Sequence, residues 1–360
     1  MSTGGRCDVL VVGGGPVGLA AAVEARLAGL TATVLEPREG PVDKACGEGL
    51  MPGAVTALER LGVRPAGRPF AGIAYVAPGR YVRADFGTGP GLGVRRVELS
   101  RALADRAEEL GVRRVRGRAE EVAVGADGVR AGGVEAAWLL AADGLHSPTR
   151  RLLGLDAPGR GPERYGLRRH FALAPWSDVV EVHWAETAEA YVTPVGDDCV
   201  GVAVLGGRGG TFEQRLAGFP ALLDRLAGAE PLSATLGAGP LRQSATRRVQ
   251  GRVLLVGDAS GYVDALTGEG LALGMAGARA AVVAIASGRP QDYEHAWRRV
   301  GRRHRVATEA LLAAATRPWS RRLVVPAAQR LPRVFAGVVD LLASDAGHAS
   351  ADGRRWSLAG

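Results

Sequence analysis

A parallel α/β domain, interrupted by a separate antiparallel sheet and completed by C-terminal helices, is the fold class that this sequence predicts. Three observations carry the prediction. Residues 9–12 form a continuously apolar, β-branched run suited to a strand buried on both faces, and Gly13-Gly14-Gly15-Pro16-Val17-Gly18 links it to a helical pattern over residues 19–27. Between residues 166 and 205, four β-rich runs succeed one another across short turns, the pattern of an antiparallel sheet. Residues 251–258 then repeat the buried-strand pattern of the start, which brings the chain back to the first domain.

The glycine turn needs its glycines for separate reasons. Gly13 permits the tight bend, Gly15 lets a pyrophosphate reach the backbone, and Gly18 lets the helix pack against the strand. A phosphate there meets free N–H groups at the positive end of a helix. Residues 31–36 follow as a second strand ending in Glu36, eighteen positions after Gly18. Its carboxylate suits the two hydroxyls of an adenosine ribose and disfavours a 2′-phosphate. Together these features predict nucleotide binding.

Residues 70–97 are short runs punctuated by glycine and proline, read as antiparallel strands. Residues 99–110 have helical spacing, with Glu98 or Ser100 near the start and Gly111 beyond the end. Short strands run on to about Ala142. The four runs of the second domain are residues 168–171, 180–184, 190–193 and 199–204. Gly206-Gly207-Arg208-Gly209-Gly210 has the wrong spacing for a second fingerprint and reads as a loop. A helix after Gly270 and arginine-rich helices complete the chain. The expected boundaries are residues 1–68, 98–165 and 246–290 for three parts of the nucleotide domain, 69–97 and 166–245 for the substrate-domain sheet, and 291–360 for the C-terminal helices.

Composition narrows the class. The net charge of +8 comes from arginines spread along the whole chain, which argues against a nucleic-acid footprint. A denser group, Arg298, Arg299, Arg302, Arg303 and Arg305, is a candidate for peripheral contact with anionic lipid. Cys7, Cys46 and Cys199 are odd in number and lack CxxC spacing, so neither a disulfide framework nor a metal site is expected. The start of the chain lacks a basic segment followed by an apolar stretch, and no eighteen apolar residues run together, so a cytoplasmic location is expected.

Two further motifs share the chain with the glycine turn: Ala142-Asp143-Gly144-Leu145-His146-Ser147-Pro148 and Gly257-Asp258-Ala259. In this order the three resemble the flavoprotein superfamily that holds single-component aromatic hydroxylases, geranylgeranyl reductases and flavin-dependent halogenases, over about residues 7–290. The resemblance implies a Rossmann-like FAD-binding domain with FAD as cofactor. It implies that Gly13, Gly15, Pro16, Val17, Gly18, Glu36, Pro37 and Asp143 face the cofactor, that Arg96 contacts it, and that Asp258 binds its ribityl chain. Gly268, Gly270 and Leu271 fall beside the flavin ring, where helix N–H groups stabilise negative charge. Lys44-Ala45-Cys46-Gly47 is similar to a segment that geranylgeranyl reductases place near the flavin, and Lys44 is the single lysine of the chain.

The resemblance also narrows the reaction. The Trp-x-Trp-x-Ile-Pro segment of the halogenases is absent, and the aromatic-rich segment of the prenyl reductases is altered to Tyr191-Val192-Thr193-Pro194. The leading expectation is an FAD monooxygenase that hydroxylates an electron-rich aromatic, phenolic or polyketide-derived, with NAD(P)H and O2. Isoprenoid double-bond reduction and non-redox flavin-dependent cyclisation are the alternatives. Cys46, His183 and Tyr191 are the catalytic candidates, with His170 as a further orienting group. Apolar clusters at residues 323–326 and 334–342 suit a helical cap, compatible with a small-molecule substrate that carries a lipid tail.

Overall fold

Val9, Leu10 and Val11 are without solvent exposure because the strand they form lies in the middle of a sheet covered on both sides. The computed structural model describes residues 6–159 and 161–345. Residues 346–360, which end the expected C-terminal region, lie outside the described residues. The first strand, Cys7–Val12, pairs in parallel with Ala32–Glu36 on one side and with Val134–Ala141 on the other. Arg113–Arg116 extends the sheet beyond Ala32–Glu36, and Val253–Leu255 extends it beyond Val134–Ala141, all in parallel. Pro16–Leu27 and Gly270–Ala286 lie together on one face, where Ala20, Ala21, Ala278 and Ala281 are buried. Their alanine-rich surfaces let the helices approach closely.

The second sheet has seven strands in the order Leu236–Ala238, Tyr165–Ala172, Cys199–Gly206, Glu189–Pro194, Val180–Trp184, Gly72–Ala77 and Arg80–Asp85. Its four central strands are antiparallel, as expected. Gly72–Ala77, however, joins Val180–Trp184 in parallel, so the sheet is mixed. The segment 69–97 is also divided, because Arg68–Phe70 and Gly91–Gly93 stand outside this sheet, in a three-stranded one where Gly91–Gly93 pairs with both Arg68–Phe70 and Gly49–Leu50. Helix Arg96–Glu109 starts three residues before the expected position and without a side-chain cap, since Ser100 Oγ accepts from the Val42 N–H instead.

Period-two alternation gives the seven-stranded sheet two distinct faces. Val192, Val200, Val202 and Val204 face the short helices Phe212–Leu216 and Pro220–Leu226 in one apolar cluster. The opposite face carries Tyr75, Val182, Tyr191 and Ala203, each paired in register with the next. Over one end of that face pack the C-terminal helices Arg302–Thr316, Val324–Arg330 and Pro332–Ala343, through Leu312, Val325, Phe335 and Val339. The Phe335 and Tyr75 rings lie 4.7 Å apart. Glu189, fully buried, accepts from both Arg164 and Arg321 and so ties these helices to the sheet. Of the basic group noted in the sequence, Arg305 turns inward, with its guanidinium 4.1 Å from the centre of the Trp297 ring. No helix among the described residues is long and apolar enough to cross a membrane.

Candidate functional site

The strand–turn–helix at residues 7–27 builds an open cradle. Gly13 adopts φ +106°, a conformation that favours glycine, and the Gly13 oxygen lies where a Cβ on Gly18 would be, so strand end and helix start meet at backbone distance. Nothing lies within 4 Å of where a Cβ on Gly15 would stand, so this face of the turn is open. Glu36 is buried, and its Oε2 accepts the Gly14 N–H at 2.7 Å while its Oε1 accepts Arg38 Nε at 2.7 Å. Burial pushes its pKa up, but the bonds from Arg38 and from the Gly14 and Arg38 N–H groups outweigh it and hold the carboxyl below its ordinary range. Arg38, half exposed, thus lies on the carboxylate that is suited to a ribose.

A cleft of about 830 Å3 runs from Gly13, Gly15 and Glu36 to Lys44 and Asp143. There it meets a second cavity of about 720 Å3, which Lys44 and Asp143 also line. Val17, Ala45, Cys46, Gly47, Arg96, Asp258, Gly268, Gly270 and Leu271 line this second cavity, so the structure brings the expected flavin-side positions together. Asp143 is committed to the following helix, where Oδ2 accepts the Thr149 N–H at 2.9 Å and Oδ1 accepts from Ser147. Asp258 has its pKa raised by burial, against the pull of Arg96, Lys44 and Arg150. Lys44 is open to the cavity by surface area yet crowded by protein. That crowding, with the Arg38 and Arg96 charges, lowers its pKa against Asp258 and Glu36. Arg96 opens its helix, and its Nε is buried without a partner among the described residues.

Sequence reasoning missed the group that holds this segment in place. Glu48, buried and at φ +60°, accepts the Arg96 N–H on Oε1 at 2.8 Å. Its Oε2 lies 2.6 Å from His170 Nε2. Arg168 donates to Asp43, to the Lys44 carbonyl at 3.2 Å and to His170 Nδ1 at 3.1 Å. Arginine has no acceptor, so His170 Nδ1 accepts and its proton sits on Nε2, donated to Glu48. His170 is therefore locked in place rather than free to meet a substrate.

The three catalytic candidates part company. Cys46 is half-buried and lines the cavity, within 3.9 Å of Arg96 Nη1. Tyr191 also lines it, but its hydroxyl donates to the Leu266 carbonyl at 3.0 Å, and burial with the nearby Glu189 charge keeps its pKa far above the ordinary value. His183 is a correction. It lies one residue out of phase with Val180 and Val182, which line the cavity, and it pairs with Glu181 at 2.9 Å on the other face of the sheet. Strand parity, with Val180 and Val182 on the cavity face, excludes it from the cavity.

Behind the loop of residues 267–270, Glu269 Oε1 accepts from Thr308 at 2.5 Å and from Thr267 at 3.1 Å. His304 Nε2 stands 3.9 Å from its Oε2, and among the described residues neither His304 nitrogen has a hydrogen-bond partner. Burial is the largest influence on Glu269 and raises its pKa, so the folded protein holds that proton more tightly than the unfolded chain. Ionisation then costs stability progressively as pH rises above the ordinary carboxyl value. Glu269→Gln keeps the Oε1 acceptor and removes this cost. Its melting temperature is expected to exceed the parent's at pH 8 by on the order of one or two degrees, with the gap closing towards pH 4, read by calorimetry.

A glycine-turn cradle, a buried acid at the second strand and an inserted sheet over a shared cavity define a dinucleotide-cofactor oxidoreductase class. The family model that matches residues 6–198 is an FAD binding domain, and the chain belongs to this family of FAD-dependent oxidoreductases. It is 32% identical over 298 residues to dialkyldecalin synthase from Streptomyces rugosporus, spanning 74% of this chain but only 62% of that protein's length. It is 29% identical over 343 residues to menaquinone reductase from Mycolicibacterium smegmatis, 81% of this chain and 79% of that one. The fold matches OxyS anhydrotetracycline hydroxylase from Streptomyces rimosus with a TM-score of 0.72 at 24% identity, over 94% of this chain and 76% of that chain. The residues present fit FAD: the open backbone at Gly15, the unpartnered Arg96 Nε and Asp258, half-buried at the cavity wall, are groups a dinucleotide would satisfy.

Proposed function

We propose that this protein is an FAD-dependent monooxygenase that hydroxylates an electron-rich aromatic molecule with NAD(P)H and O2. One observation supports this reading most: three groups that the sequence nominates to orient a substrate or handle a proton, Tyr191, His170 and His183, are not free to act on a substrate in the cavity. Tyr191 has its proton committed to Leu266, His170 is locked to Glu48, and His183 is on the far face. A substrate that supplies its own nucleophilicity, as the ring of a phenol does, needs none of the three. FAD, when bound, supplies electron transfer and oxygen activation.

The chain's own residues orient and enclose. Lys44, Arg96 and Asp258 would hold the cofactor, and Tyr191 fixes the loop of residues 266–270 through the Leu266 carbonyl. The apolar surface of Tyr75, Val182 and Leu266 excludes water from the reacting face. Oxygen uptake with NADPH and a panel of phenols, with one labelled atom from 18O2 recovered in the product, is the expected result. NADPH oxidation yielding only hydrogen peroxide with every phenol would remove this reading.

A second reading, alkene reduction, draws on the similarity to menaquinone reductase along most of both chains and on Cys46 as a proton donor at the cavity. Cys46→Ser separates the two, since hydroxylation is expected to change little and alkene reduction to fall sharply in single-turnover assays. His183→Ala is expected to leave kcat within about twofold. It should cost about 1–3 kcal/mol of stability through the unpaired Glu181, read from urea denaturation.

A further inference from the structure

The glycine-rich loop at residues 206–210 lacks the spacing of a nucleotide fingerprint, yet its residues 208–210 line the same cavity as the flavin-side residues. It leaves the strand Cys199–Gly206 and holds an unusual shape, with Gly209 at φ +86° and Gly210 at φ +79°. Arg215 braces it, donating to the carbonyls of Gly207 at 2.6 Å, Gly209 at 3.1 Å and Tyr165 at 2.9 Å. This leaves Arg208 presented at the cavity, exposed and without a hydrogen bond or ion pair among the described residues. Among the described residues, the acids that line the cavity are Glu48, Asp143 and Asp258, on its nucleotide side. The end at Arg208 and Arg215 carries two cations, and the acid near it, exposed Glu163, accepts from the Tyr165 hydroxyl at 3.1 Å rather than from either arginine.

The floor between this end and the C-terminal helices is apolar. Tyr75, Val182, Tyr191 and Ala203 stand in register across four neighbouring strands, and Gly166 lines the cavity on the fifth. Four strand spacings make a slot about 19 Å long. Leu311, Val339 and Leu342 close its far end. A cavity with an apolar body and one end where the Arg208 guanidinium has no ion pair among the described residues fits an elongated amphiphile.

We infer that Arg208 is a specificity-determining residue that receives the anionic group of an elongated, otherwise apolar substrate. Carboxylate and phosphate share the chemistry that a free guanidinium recognises. The inference rests on the reading of this cavity as the substrate site, and it narrows the aromatic substrate to one that carries an acidic group.

The test is calorimetric binding of decanoate, decyl phosphate and decanol to the FAD-loaded full chain, each below its aggregation threshold. Both anions, or one of them, are expected to bind about tenfold more tightly than decanol. A preference for one alone names the group as carboxylate or phosphate. Arg208→Glu should abolish the preference and Arg208→Lys should keep most of it. Arg333→Glu, the same charge change on the exposed surface of helix Pro332–Ala343, should leave it intact. Equal affinity for all three probes, or a preference that survives Arg208→Glu, overturns the inference. So does a variant that weakens NADPH binding while decanoate binding stays unchanged. Binding is read without turnover, so failure of the oxygen-uptake assay would count against the proposed reaction and leave this result legible.

Discussion

Gly18→Ala is expected to yield protein that does not retain FAD, whereas Gly15→Ala should fold normally and bind FAD more weakly. The two glycines sit three residues apart in one motif, but their surroundings differ. A Cβ on Gly18 would stand 1.9 Å from the Gly13 oxygen, and real Cβ contacts essentially never fall under 3.0 Å, so the helix start must retreat by about 1 Å. The oxygen belongs to the backbone and the Cβ is fixed directly to it, so no side-chain rotation relieves the overlap. Overpacking of this kind costs about 1–3 kcal/mol even where the surroundings can give. Retreat of the helix start also withdraws the N–H groups that a pyrophosphate needs. At Gly15 the added methyl meets nothing within 4 Å, so its effect falls on the ligand alone. Thermal denaturation of both variants without cofactor, followed by FAD titration, separates the cases. Equal loss of stability in the two variants would contradict the assignment of Gly15 to ligand approach.

How far the site was legible in the sequence follows from the range of each interaction. The turn from Gly13 to Gly18 and the acid at Glu36 were legible because backbone conformation and a strand end fix them locally. The family motifs placed Arg96 and Asp258 towards one cavity, which the structure also lines with them. The face of each strand was not legible. Alternation showed that Glu181 and His183 share a face, but which face meets the cavity depends on the helices Phe212–Leu216 and Pro220–Leu226, which cover the other one. The insertion 69–97 was read as one unit, and its division between two sheets depends on the pairing of Gly91–Gly93 with both Arg68–Phe70 and Gly49–Leu50. Arg168 and His170 occupy alternate positions of a strand run, and charged groups in a buried strand need partners. Those partners, Asp43 and Glu48, lie more than 120 residues earlier, beyond any local pattern.

Arg168→Ala is expected to lower stability by about 3–5 kcal/mol, because it leaves the buried carboxylate of Glu48 without its cation and strips Asp43 of its partner. The guanidinium is almost wholly buried and reaches two acids, a carbonyl and an imidazole nitrogen at once. Alanine supplies none of these donors, and the rigid fork of arginine has no equivalent in lysine, so Arg168→Lys should recover only part of the loss. The functional consequence is as specific. Arg168 holds the Lys44 carbonyl, and Glu48 holds the Arg96 N–H, so one substitution loosens both chain segments that face the cofactor. The variant that still folds should therefore bind FAD at least about tenfold more weakly, while the cradle at Gly13–Gly18 stays intact. Urea denaturation measures the first effect, and FAD titration of the folded fraction measures the second. His170→Gln makes the complementary test, since its amide can still donate to Glu48 while the ring acceptor for Arg168 is replaced. A smaller loss than in Arg168→Ala is expected. If His170→Gln instead cost as much as Arg168→Ala, the imidazole would be the centre of this network and the arginine an accessory to it.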